Sequence, residues 1–150
     1  MHDFLVHTHS GTRWLVLASA VFVIFRYATG VLQKRRFEAL DNTAAAIFIG
    51  NVHLQVLIGF ILYLGYLQPW TLDMSVVMKD PIGRFFAVEH ITGMLLGAVL
   101  AQVGRTLSKK ASDDAAKFRK GLIYFSLSIL IILASSPWPF ITKFAGRSWF

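Results

Sequence analysis

Apolar residues run along this chain in four long blocks separated by short polar stretches: Phe4 to Leu32, Thr43 to Leu67, Phe85 to Gly104 and Gly121 to Ile141. Each is close to or longer than the roughly 20 residues a helix needs to cross a hydrocarbon core about 30 Å thick. None alternates apolar and polar residues with a period of two, so the strands of a membrane barrel are a poor alternative. The pattern predicts an all-α chain, an integral membrane four-helix up-down bundle forming a single four-span transmembrane domain over residues 1–150.

Composition strengthens that expectation. The chain is 55% hydrophobic and only 15% charged, with a mean hydropathy of +0.57, too apolar for an ordinary soluble domain. It has no cysteine, which removes disulfides, iron–sulfur clusters, thiolate zinc sites and thiol catalysis, and leaves histidine as the strong soft-metal ligand. Ala18-Ser19-Ala20 looks like a signal cleavage site, but only Trp14 to Leu17 separates it from Arg13, too short for an h-region. The first block is therefore read as a retained span.

Charge then orients the bundle. Lys34, Arg35 and Arg36 fall in the first connection, and Arg105, Lys109, Lys110, Lys117, Arg119 and Lys120 in the third, RTLSKKASDDAAKFRK, read as a solvated connector. The second connection has only Lys79 and Arg84, and the tail only Lys143 and Arg147. The positive-inside rule puts the basic loops in the cytoplasm. The expected location is the bacterial cytoplasmic (inner) membrane, with both termini periplasmic and the lipid bilayer as principal partner. Arg26 is expected to snorkel toward the basic side. The net charge of +7 then reads as a topology signal plus attraction to anionic head groups, not as a nucleic-acid footprint.

Polar residues inside apolar blocks are the candidate chemistry, because they are costly in lipid unless they meet a partner, a cavity or a ligand. Glu89 and His90 interrupt the third block; Glu89 is expected to pair with a base such as Arg84. Positions three and four apart from His90 include Gly93, Gly97, Ala101 and Gly104, a small-residue stripe that makes room either for a neighbouring helix or for a flat ligand. His9 and Arg13 share a helix face, where an imidazole could hold a metal while the guanidinium fork holds a carboxylate. In the second block Asn51, Gln55, Gly59 and Tyr63 lie on one face and His53 on nearly the opposite one. Which of those faces points inward stays open. Asp80-Pro81 marks a helix start, and Pro137 and Pro139 break the last block.

Several of these stretches resemble small four-helix membrane proteins of the cytochrome b-like kind. They are His9-Ser10-Gly11 with Arg13-Trp14, His53-Leu54-Gln55 with Gly59 and Leu62-Tyr63, Gly104-Arg105 with Ser108-Lys109-Lys110, and Pro137-Trp138-Pro139-Phe140. The resemblance implies haem b, electron transfer, and a membrane redox partner or quinone. With a rise of ~1.5 Å per residue, His90 lies ~9 Å and His9 ~8 Å inside the outer end, and His53 ~20 Å. Axial ligands need matched depth, so His9 and His90 are the expected metal ligands, on the first and third helices that lie diagonally in an up-down bundle. Arg13 is then a haem-propionate partner and Gly93 makes space beside the ring. His53 with His90 on adjacent helices is the rival pair, and His7 could replace His9. Otherwise His53 supports the site from behind its ligands or faces a quinone. Two non-haem readings stand beside this one: a proton or metal-ion pathway through Glu89, His90, His53 and Asn51, and a structural subunit of a larger membrane complex.

Overall fold

The structure, a computed structural model, describes residues 1–146. Arg147, counted among the tail's cations, and Phe150 lie outside the described residues. Among these, every regular element is helical: α1 (His2–Gln33), α2 (Ala39–Leu62), α3 (Met74–Val77), α4 (Pro81–Arg84), α5 (His90–Lys109) and α6 (Asp114–Ala134). Two π-helical turns, Tyr63–Leu67 and Phe85–Glu89, extend α2 and join α4 to α5.

Three helical runs, His2–Gln33, Ala39–Thr71 and Pro81–Lys109, are long and apolar enough to cross a membrane. The fourth block ends earlier than its hydropathy implies. The α6 helix stops at Ala134, and its first turns carry Asp114, Lys117, Arg119 and Lys120, so its apolar helical part is confined to residues 121–134. Pro137 cannot continue the ladder. The final carbonyls are instead capped by side chains: Ser136 Oγ donates to Ile132 O at 2.8 Å and Trp138 Nε1 to Leu133 O at 2.8 Å. The third connection is also shorter than its charge pattern implies, since α5 runs through Lys109 and α6 begins at Asp114. Asp113 caps α6 by accepting from Ala116 N at 2.8 Å, and Asp80 caps α4 by accepting from Gly83 N at 2.6 Å.

The long helices pack as a ring in which α1 touches α2 and α6 while α5 touches α6 and α2. The α1 and α5 helices therefore face each other diagonally. The α5–α6 seam is the closest because α5 presents its glycines there: a Cβ built on Gly97 would lie 2.7 Å from Ile132 Cγ1, and Ser128 Oγ donates to Gly97 O at 2.7 Å. The small-residue stripe thus serves helix packing.

The core occupies the half of the ring nearer the basic loops. Tyr27, Phe48, Phe118 and Phe125 are fully buried there, with Tyr27 ring centres 5.6 Å from Phe118 and 5.2 Å from Phe125. At that end Arg35 lies over the Phe118 ring and Phe37 against it, so the first connection meets the start of α6. Beneath them Asp41 is fully buried. Arg35 grips it with Nη1 on Oδ2 at 2.7 Å and Nη2 on Oδ1 at 2.7 Å, and Arg26 Nε donates to Oδ1 at 2.8 Å. Arg26 reaches the basic end of the bundle, where it is held both by the buried Asp41 and by the exposed Glu38 at 3.4 Å, and the Asp41 carboxylate holds the Arg35 guanidinium above its ordinary pKa.

The outward faces are apolar. Val21, Phe25, Leu57, Val99, Ile123 and Leu130 are all more than half exposed. A belt of this kind, contributed by every long helix, is far larger than the isolated apolar residues of a water-soluble surface.

Candidate functional site

Opposite the aromatic core the ring of helices opens into a cavity of about 450 Å³. Its floor is Val16, Val52 and Ile132, its walls include Val56, Leu62, Met94 and Phe86, and His9, Arg13, Gln55 and His90 also line it. Two of the sequence-derived candidates meet here across the diagonal, with the His9 and His90 ring centres 6.1 Å apart and their planes at 81°.

Each imidazole is held by its neighbours. His90 Nδ1 is 2.7 Å from the Ser135 carbonyl, an acceptor, so Nδ1 carries the hydrogen and Nε2 keeps its lone pair. That carbonyl is within reach because α5 and α6 approach closely at Gly93, where a Cβ would collide with the Ser135 side chain. Gly93 does not line the cavity; the space it leaves is filled by α6, so the expectation that it lies beside a ligand is corrected. Its effect on the site passes through Ser135.

His9 is clamped from α2. Gln55 Nε2 donates to His9 O at 2.8 Å and lies 3.3 Å from His9 Nε2, while the Gln55 carbonyl oxygen accepts from Thr12 Oγ1. Gly59 makes room for the ring, since a Cβ there would sit 3.1 Å from His9 Cε1. His9 Nδ1 is buried and has no hydrogen-bond partner among the described residues. Arg13, 9% exposed, enters from one turn below, its guanidinium carbon 5.0 Å from the centre of the Trp138 ring.

The two π turns flank this chamber. Tyr63 OH donates to Ala87 O at 2.8 Å, tying one turn to the other, and the aromatic rings of Phe85 and Phe86 lie 5.7 Å and 6.1 Å from His90. Such turns are frequent at functional sites because the extra residue changes the rotation of the adjoining helix. Glu89 is paired as expected: Arg84 Nε donates to its carboxylate at 2.7 Å, and Lys143 Nζ lies 3.7 Å away.

The remaining candidates fall elsewhere. His53 is exposed on the outer face of α2 and His7 on that of α1, and neither lines the cavity. The inward face of α2 is the Asn51, Gln55, Gly59 and Tyr63 stripe, with Asn51 donating to Ser19 Oγ at 3.1 Å. His53 and His90 are thus not brought together, which corrects the rival pair. No group of three or more His, Cys, Asp or Glu residues with metal-site spacing occurs among the described residues; the juxtaposition is of two. Gln55, Ser135 and Asp41 are the residues whose roles sequence reasoning missed. A polar stripe spaced by four pointed to the first, whereas nothing local pointed to a backbone carbonyl beyond a helix end.

Comparison with protein-family models, curated proteins and solved structures finds no match to this chain.

Proposed function

We propose that the chain spans the bacterial cytoplasmic membrane four times as an up-down bundle and carries electrons through one b-type haem held by His9 and His90 near the outer face. The observation that carries this reading is the facing of the two imidazoles at 6.1 Å in an otherwise largely apolar chamber. The buried His9 Nδ1, without a hydrogen-bond partner among the described residues, and the lone pair left on His90 Nε2 are donors that would hold an iron. The residues present fit the group.

Haem so ligated supplies reversible one-electron chemistry at the iron. The chain's own part is binding and orientation. Ser135 O fixes the His90 tautomer, Gln55 and Gly59 hold His9, and Arg13 offers a guanidinium fork to a carboxylate edge. The valine, leucine and isoleucine walls exclude water. With His9 and His90 both given to the iron, the chain would set potential and orientation rather than make bonds. A membrane quinol or a neighbouring redox protein is the proposed electron partner.

The four-span topology is supported by the apolar belt and by the gathering of cations at one end, where Lys34, Arg36, Lys109, Lys110, Arg119 and Lys120 are exposed. The deciding measurement is the visible spectrum of the detergent-purified protein, oxidised and then reduced with dithionite. A low-spin haem spectrum is expected in the wild type. His9→Ala and His90→Ala should each abolish or convert it, and His53→Ala should leave it low-spin. Colourless protein from haem-replete cells would overturn the proposal and move the proton or metal-ion pathway and the structural-subunit readings ahead.

A further inference from the structure

The chamber has two ways out, and they differ in character. One is the mouth beside the start of α1, where the exposed His2 and Tyr66 rings pack with centres 4.8 Å apart. The other is a side lobe of about 50 Å³ between α2 and α5. This lobe is lined at its inner end by His9, Gln55 and His90, and at its outer end by Phe60, Ile91 and Leu95. Leu95 is 38% exposed, and Leu57, Ile61, Leu96 and Val99, on the same two helices, are exposed further. The lobe therefore runs from the facing histidines to the apolar belt.

Packing makes this seam the weakest of the four. The α2–α5 pair is the least extensively packed of the ring neighbours, and Gly59, which gives His9 its room, stands on its α2 side. Opening it exposes aliphatic and aromatic side chains to lipid, which costs little where the surroundings are hydrocarbon, so the main polar tie it strains is the Tyr63 OH to Ala87 O bond at the end of the seam. Opening the mouth instead separates an aromatic pair at the water-facing end.

We infer that the α2–α5 seam is the door of the chamber, through which a flat, apolar-bodied ligand dissolved in the membrane enters sideways between Phe60 and Leu95 and reaches the histidine pair. The inference rests on the haem reading and adds to it the route of loading and the membrane interior as the source of the ligand.

The absence of cysteine allows an order-of-addition test. Leu95→Cys and Tyr66→Cys variants, prepared without haem in phosphatidylcholine nanodiscs, are reacted with a bulky uncharged maleimide either before or after haemin is added. The readout is the rate of appearance of the low-spin Soret band. Labelling Leu95→Cys first should slow uptake at least about tenfold, and labelling it after loading should leave the spectrum unchanged, which shows that the labelled protein still holds the ligand. Labelling Tyr66→Cys first should leave the rate within about twofold of the unlabelled variant. Slowing at Tyr66 with none at Leu95, or a rate indifferent to both labels, would overturn the door while leaving the haem reading intact. Failure of unlabelled wild-type protein to take up haemin would overturn the haem reading and the door with it.

Discussion

At the scale of single residues, the site depends on close approaches that no side-chain chemistry announces. Gly93 is the sharpest case: its missing Cβ lets Ser135 lie against α5, and the Ser135 carbonyl then orients His90. Gly93→Ala should force α5 and α6 apart, lower stability by about 1–3 kcal/mol and shift the low-spin spectrum. Ser135→Gly in the same chain should restore both, because it removes the colliding atoms and keeps the carbonyl. Thermal unfolding in detergent and the visible spectrum read the two effects separately. Gln55 acts on the opposite ligand. Gln55→Leu removes the donor to His9 O and the amide beside the His9 ring, while Thr12 Oγ1 keeps its bond to Thr8 O at 2.9 Å, at a cost of about 0.5–1.5 kcal/mol for the lost hydrogen bonds. The fraction of protein holding low-spin haem should fall, whereas an unchanged fraction would show that His9 needs no clamp.

Among the elements, the π turn at Phe85–Glu89 aims one wall of the chamber. It carries Phe86 into the lining and Ala87 O to Tyr63, while α5 beyond it is pinned to α6. Deleting Val88 should convert this turn to α-helix and rotate the preceding residues by about 100°. His90 should keep its place against Ser135 while Phe86 leaves the chamber. The expected outcome is retained low-spin ligation with haem affinity weakened about tenfold, measured by haemin titration; loss of the low-spin signature would mean that the turn positions His90 itself. At the other end the first connection is built around Asp41, whose carboxylate bridges Arg26 and Arg35, with Glu38 supplying the second negative charge at Arg26. Asp41→Asn removes the anion that Arg26 and Arg35 share, leaves Arg26 with the exposed Glu38 at 3.4 Å, and should destabilise the fold by about 3 kcal/mol, the low end for a broken buried pair because both partners are partly exposed.

For the molecule as a whole, the apolar belt and the asymmetric placement of cations make topology the first thing to measure. The described part of the chain gathers its start, the turn after α2 and the segment after α6 at the end away from the basic loops. A reporter fused at Phe150, which lies outside the described residues, should be active in its periplasmic form and silent in its cytoplasmic one. The reverse result would put the chamber of His9 and His90 near the cytoplasmic face and overturn the proposed orientation.

The sequence by itself determined the helices and the solvent they suit, because hydropathy over about 20 residues and the turn chemistry of Asp80-Pro81 and Pro137 are local properties of the chain. It also put His9 and His90 at one depth, since rise per residue is a constant of the helix. Rotation of each helix about its axis was left to the tertiary structure. Whether Gln55 or His53 looks inward on α2 depends on which face the neighbours accept, and α1 accepted the stripe of Asn51 and Gln55 through Ser19, Thr12 and His9. The same holds for the glycines of α5, equally suited in sequence to a ligand or a helix, which the structure gives to α6. Asp41 carries no local mark of burial, and its place is fixed by Arg26 and Arg35, which close on it from other segments. Burial and partnership are properties of pairs of residues far apart in the chain, and only packing decides them.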